Sequence, residues 1–368
     1  MFEIREIKNK SEYNPLLIDK NAPFTQAWFY GEWQEAMGRK ARRFEMRDNL
    51  ETIGFFQIIK YPLFANKNIL YIPHAPVLRS FSEGGARSDF LKIFRETLIQ
   101  IAKEENAIFV RFDLPGRSFS EGGLAINKYF KKVPSYAEHS VYFQPKYEWV
   151  LNIDKPENEL LGDMPKDSRY DIRYAENKGV TAEIFENNLI SYLDDFYSLM
   201  GKTAQRGNFN LHPKEYYKNI LINCEKNNNA FFAAAKHSGD IIAMNLVLIF
   251  GETAYVVFGG SDDKFKNLRA PRLVYWKGII AAKNRGCKFY NFGAISYGDG
   301  YESYEGISEF KKGFGGKMLE HPDSYDLIIK SFWYWLYNLR KKFRIIIPVC
   351  YKCYSTHNKL EIKKHDEF

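Results

Sequence analysis

The chain of 368 residues contains only four cysteines and no long apolar run. So few thiols exclude a disulfide scaffold and fit a reduced compartment. No window reaches 18 consecutive apolar residues, so no transmembrane helix is predicted. The N-terminus, MFEIREIKNKSEYN, is charged and lacks an apolar h-region, which predicts no signal peptide and a soluble, cytoplasmic protein. There is no GxxxxGK[ST] loop and no dinucleotide fingerprint after a strand, so no nucleotide cofactor is implied. There is no GxSxG elbow and no HExxH pair. Cys350 and Cys353 have CxxC spacing with His357 beyond them, but no fourth ligand or second pair stands nearby, so no metal is expected.

Aromatic residues, by contrast, are abundant, with 25 Tyr and 30 Phe. Rings at that density are buried or used in binding, and the length suffices for two domains. The net charge of +8 is unevenly placed. From Lys330 to Phe368, nine Lys and Arg stand against three acids, so this tail alone carries +6. A basic, aromatic tail suits an anionic surface such as a membrane or RNA. The plain alternative is a solvated helix end.

Two stretches share an order of elements. In the first, Phe44 to Ile59 reads as a strand pair around Asp48-Asn49, and Ile69 to Ile72 as a further strand. Apolar residues at Phe90, Leu91, Phe94, Leu98 and Ile101 predict a helix over 88–102, followed by a strand over 108–112. In the second, Phe231 to Ala235 turns at 237–240 into Ile241 to Phe250, and Gly251-Glu252 leads into Tyr255 to Phe258. A helix over 270–284 closes at Gly286, and a strand over 288–292 ends the unit. Hairpins, helix and strand thus occur twice, which predicts two α/β units with mixed, mostly antiparallel sheets. A helical stretch, 156–178, opens the second unit. A final aromatic helix from Tyr325 to about Phe343 lies outside that order and is expected to pack back on the first unit.

The chemistry-bearing run is Gly259-Gly260-Ser261-Asp262, then Arg269-Ala270-Pro271, then Tyr290-Asn291-Phe292-Gly293-Ala294, and last Phe310-Lys311-Lys312-Gly313-Phe314-Gly315-Gly316. Glycines let a backbone approach a ligand, and Lys311 would carry an ammonium into that region. Tight turns and a surface lysine are the plainer reading. Arg206 precedes Gly207 and can offer a planar fork to a phosphate. Asp113 ends a strand, where a carboxylate can serve a site or cap a turn.

Taken in order, these residues resemble the Fem family of peptidoglycan interpeptide-bridge aminoacyltransferases. The likeness includes Gln26-Ala27-Trp28 with Trp33, Ala75-Pro76-Val77, Arg111-Phe112-Asp113, Ser168 to Glu176 and Gln205-Arg206-Gly207-Asn208-Phe209. It is strongest from Ala270-Pro271 through Phe310-Lys311 to Phe314-Gly315-Gly316. The family implies two acetyltransferase-like (GNAT) units. These would be 1–148, completed by a C-terminal helix over 320–345, and 149–319, with a basic tail over 346–368. The Q/R-x-x-G-x-G/A turn of CoA-dependent members is missing from 260–268, so no CoA and no other cofactor is expected. Tyr290-Asn291 stands where the family often has Tyr-Asp, and Ala75-Pro76 where it often has Gly-Pro.

The resemblance implies transfer of an amino acid from aminoacyl-tRNA to the stem-peptide amine of UDP-MurNAc-pentapeptide or lipid II. Lys311 would stabilise the oxyanion, and Asp113 would orient the amine or take its proton. Arg206, Tyr290, Gly315, Gly316 and Trp33 would contact substrates. The basic tail would add peripheral membrane contact. Two other classes stay open: a same-fold acyltransferase using an acyl thioester on another envelope acceptor, and a non-catalytic RNA- or membrane-binding protein.

Overall fold

The computed structural model describes residues 2–79, 86–116, 126–133, 144–297 and 305–342. The basic stretch beyond Lys342, with Cys350, Cys353 and His357, lies outside the described residues. Two mixed sheets organise the chain. The first contains β1 (Phe2–Ile7), β2 (Lys40–Asp48), β3 (Glu51–Pro62), β4 (Asn68–Ile72), β5 (Val77–Leu78), β6 (Ala107–Asp113), β7 (Lys131–Lys132) and β15 (Ser324–Ile328). Its order is β1-β2-β3-β4-β6-β15-β7, with β5 on β3. The second contains β8 (Tyr147–Asn152), β9 (Thr181–Phe185), β10 (Ala230–His237), β11 (Asp240–Phe250), β12 (Thr253–Ser261), β13 (Phe289–Ala294) and β14 (Lys317–Glu320), in the order β14-β8-β13-β12-β11-β10-β9.

The two sheets repeat one plan. An antiparallel meander leads to a strand that crosses, through a helix, to a parallel neighbour. In the first sheet β4 crosses through α2 (Ala86–Glu104) to β6; in the second, β12 crosses through α7 (Ala270–Asn284) to β13. A parallel pair needs such a crossover because its ends lie at opposite edges of the sheet. The start of α7 is set by Pro271 in its first turn, and Gly286 follows the helix at φ +82°.

Alternation along β10 shows why both faces of the second sheet are covered. Phe231, Ala233 and Ala235 pack under α7, whereas Ala230, Phe232 and Ala234 face the opposite core. That opposite core is built by α5 (Leu193–Gly207), α6 (Lys214–Glu225) and α1 (Trp28–Ala36). Helix α1 lies between β1 and β2 of the first sheet, so its Phe29, Tyr30 and Trp33 join the two halves of the chain.

The expected final helix is shorter than its sequence suggests. Ser324 to Ile328 form β15, antiparallel to β6, and the helix α9 runs only from Ser331 to Lys342. Fully buried Arg111 on β6 donates Nε and Nη2 to the two oxygens of Asp326, each at 2.8 Å. That bidentate cross-strand pair, with Tyr325 stacked on Phe112 at 5.6 Å, fixes the segment as a strand. The segment therefore completes the first sheet instead of lying outside the repeat. Helix α9 does pack on that sheet, with Tyr334 edge-on to Phe109 at 5.2 Å.

Candidate active site

The parallel pairing of β12 and β13 stops early. Only Thr253, Ala254 and Tyr255 pair with Phe289, Tyr290 and Asn291. Beyond them the strands part, and Val256, Val257 and Phe258 face Phe292, Gly293 and Ala294 across a cavity of about 520 Å³. Irregularities accompany the parting. The β11 register shifts at Leu246/Val247, leaving Val257 extra, and the β13–β8 register shifts between Asn291 and Ala294. Such bulges re-aim backbone beside functional sites. The cavity has the size of a small-molecule site and is lined from both halves of the chain. The first half supplies Phe24, Tyr30, Trp33, Arg39 and Tyr61; the second supplies Glu148, His212, Tyr216 and Lys311.

Lys311 reaches this cavity from α8 (Glu305–Lys312). It is 7% exposed, and its Nζ donates to the Ala294 carbonyl at 2.5 Å, at the end of the parted strand. Burial lowers its pKa to about 8, partly offset by the Glu148 carboxylate. Gly315 and Gly316 lie just past α8 at φ +77° and +98°. The Gly315 carbonyl accepts from the Trp149 indole at 2.7 Å, and a Cβ on Gly316 would meet the Val150 carbonyl at 2.6 Å. These glycines thus fasten α8 to β8 and do not line the cavity.

Trp33 lines the cavity, edge-on to Tyr216 at 5.4 Å. Tyr290 faces the other way. It is fully buried under α7, where a Cβ on Gly278 would stand 2.7 Å from its hydroxyl. Its strand neighbours Asn291 and Gly293 take the cavity face instead. Asp113 is buried inside the first sheet, accepting from the Tyr71 and Ser324 hydroxyls, and it does not line the cavity. Burial raises its pKa despite those donors. Arg206, near the end of α5, pairs with Asp263 at 2.5 Å beside a separate groove of about 210 Å³. That groove also holds Lys266, Arg269 and Arg272, before and at the start of α7, together with Asp171, Asp262 and Asp263. The structure therefore brings Lys311 and Trp33 together, and sets Arg206, Asp113 and Tyr290 elsewhere.

Sequence reasoning missed the acidic centre of the cavity. Glu148, on β8, accepts on Oε2 from Asn291 Nδ2 at 2.9 Å and from His321 Nε2 at 2.9 Å. The Gly116 amide donates to His321 Nδ1 at 3.2 Å, so the ring proton sits on Nε2 and points at Glu148. His321 stacks on His74 at 4.5 Å. Burial pushes the Glu148 carboxyl up, but the His321 bond, the two imidazole rings and the Asn291 amide outweigh it and hold the group at about 2. Burial holds His74 down at about 3. The available signal was a lone acid entering the apolar run Trp149-Val150-Leu151; His321 gave none.

Two GNAT-like sheets, one with a parted strand pair that receives a buried ammonium, make up an acetyltransferase-like (GNAT) fold. Matching solved structures include a tandem GNAT protein from clavulanic acid biosynthesis. It has 9% identity, a TM-score of 0.51, and coverage of 89% of this chain and 99% of that one. The chain belongs to the FemAB family, whose model matches residues 135–238 and 222–342. A structure of FemX superposes with a TM-score of 0.77 at 19% identity, over 91% of this chain and 99% of that one. Among curated proteins, the lipid II:glycine glycyltransferase of Staphylococcus saprophyticus is 22% identical, over 82% of this chain and 87% of that protein. Its Staphylococcus aureus counterpart is also 22% identical, over 84% and 89%.

Proposed function

We propose that this enzyme transfers an amino acid from aminoacyl-tRNA to the stem-peptide amine of a peptidoglycan precursor, lipid II or UDP-MurNAc-pentapeptide. The observation that carries the reading is Lys311: a desolvated ammonium at the cavity end of the parted strands. Relatives named lipid II:glycine glycyltransferase support the acceptor class and suggest glycine as the first donor to try.

The amine attacks the ester carbonyl; a C–N bond forms and the carbonyl π pair moves to oxygen. Lys311 hydrogen-bonds that oxyanion, at about 2–4 kcal/mol for one such donor. Collapse breaks the bond to the ribose oxygen, which leaves with one proton while the amine gives one up. The chain's task is to position and stabilise, because the ester is already activated. Trp33 and the rings around it would pack on substrate. The groove at Arg206, where four cations stand among three carboxylates, would take a phosphate-bearing portion, with Asp113, Tyr290, Gly315 and Gly316 supporting the frame. We also propose peripheral membrane contact through the C-terminal region.

The test is transfer of radiolabelled glycine, alanine or serine from charged tRNA to purified lipid II and to UDP-MurNAc-pentapeptide. Labelled precursor is expected with at least one donor. No transfer from any charged tRNA would refute the reading.

A further inference from the structure

Both donors to Glu148 converge on one oxygen. His321 Nε2 and Asn291 Nδ2 each approach Oε2 at 2.9 Å, and among the described residues none hydrogen-bonds Oε1. The carboxylate stands in the wall of the 520 Å³ cavity that Lys311 also lines. It stands equally in the wall of a small chamber of about 50 Å³, shared with His74, His321 and Asn291. The group is thus an anchored carboxylate with one oxygen spare, in the wall between the large cavity and the small chamber. Glu148 and Lys311 line the same cavity, so both can address one bound molecule.

Two tasks could use a spare carboxylate oxygen here. One is to take the proton of the attacking amine. Two hydrogen bonds that favour the ionised form make this carboxylate a poor proton acceptor at neutral pH. Gripping the attacking amine as an ammonium would also tie up the lone pair that must attack. The other task is to hold an ammonium that stays charged throughout the reaction. An aminoacyl ester carries one, on the carbon next to the reacting carbonyl.

Resting on the function proposed above, we infer that Glu148 Oε1 seats the α-ammonium of the aminoacyl donor, with His321 and Asn291 as positioning residues that hold Oε2. The carbonyl beside that ammonium then falls to Lys311. The site accepts esters with a free α-amine and rejects those whose α-nitrogen is acylated or replaced by hydroxyl. A charge-assisted hydrogen bond of this kind is worth about tenfold or more in discrimination.

The experiment compares glycyl-tRNA with glycolyl-tRNA, and alanyl-tRNA with lactyl-tRNA, in single-turnover transfer to lipid II and to UDP-MurNAc-pentapeptide. Wild type is expected to prefer the amino ester at least about tenfold in kcat/KM. Glu148→Gln is expected to bring that ratio near one, and His321→Gln to reduce it in part. A purely structural role would lower both rates and leave the ratio unchanged. Equal use of the two esters by wild type overturns the inference without any variant. An unchanged ratio in Glu148→Gln also overturns it, while transfer itself upholds the broader function. No transfer by wild type from any aminoacyl-tRNA removes both.

Discussion

At the scale of single residues, Lys311 carries the sharpest expectation. Replacing it with Met keeps length and removes the charge. If the ammonium meets the oxyanion, kcat should fall about 30- to 1000-fold, with circular dichroism unchanged. A loss within threefold would exclude the role. The wild-type-to-Met ratio should also depend on pH in one direction. Burial lowers the Lys311 pKa to about 8, so the ammonium is present below that value and lost above it. The ratio should be flat near pH 7 and shrink as pH rises past 8; titration of the acceptor amine cancels because both enzymes share it. Stability follows the same group with opposite consequence. A lysine whose folded pKa lies below its unfolded value of about 10.4 penalises folding when protonated, and the penalty lifts between about pH 8 and 10. Lys311→Met should therefore melt no lower than wild type at pH 7. Arg206 is a different case, half-exposed and paired with Asp263. Arg206→Ala should raise KM for the diphosphate-bearing precursor about tenfold, and KM for a phosphate-free stem peptide hardly at all. Equal effects on both acceptors would remove it from phosphate binding.

At the scale of elements, what could be read from sequence followed what is local. The repeated hairpins, α2, β6 and α7 were legible because periodicity and turn residues fix them within a few residues. Tyr290 shows the limit: the run Tyr290-Asn291-Phe292 signals a strand, but which side faces the ligand depends on β8 and α7, which pack against it. Segment 324–328 shows another limit. Its sequence, Ser-Tyr-Asp-Leu-Ile, runs on toward the aromatic helix α9, and Arg111 and Phe112, more than 200 positions earlier, commit it to a strand. The Glu148–His321 pair is equally non-local, 173 positions apart, and so was invisible. Helix α9 leads to a prediction of its own. Phe332 and Trp335 are 65% and 57% exposed on one face, with Arg340 over Phe64 and Lys67 over Trp333 nearby. Exposed rings flanked by cations suit an anionic lipid interface. Sedimentation with phosphatidylglycerol vesicles should retain the protein at low salt and release it as salt rises. A Phe332→Ser, Trp335→Ser double variant should bind more weakly than wild type. Absent or salt-insensitive binding would exclude this contact.

At the scale of the whole molecule, the two sheets share a core as well as a cavity. Phe29, Tyr30 and Trp33 of α1 are packed with Leu193, Phe196, Tyr217 and Leu246 from the other half of the chain. A second seam lies where the Glu252 amide donates to the Lys20 carbonyl at 3.0 Å. There the approach is so close that a Cβ on Gly251 would stand 2.0 Å from the Lys20 oxygen. Covering three large rings is worth roughly 5–9 kcal/mol at ~1.5–3 each, comparable to the whole stability of an ordinary domain. The halves should therefore not behave as beads on a string. Calorimetry of the full chain should give one transition with equal calorimetric and van't Hoff enthalpies. A fragment spanning 144–320 retains the second sheet and Lys311 but loses α1, and it should bind a hydrophobic dye and melt without a sharp transition. Two resolved transitions in the full chain, or a fragment melting as the intact protein does, would show that the seam contributes little. Trp33, Tyr30 and Arg39 line the same cavity as Glu148 and Lys311, so the same cut, which also removes His321, should abolish transfer even though Glu148, Asn291 and Lys311 are present.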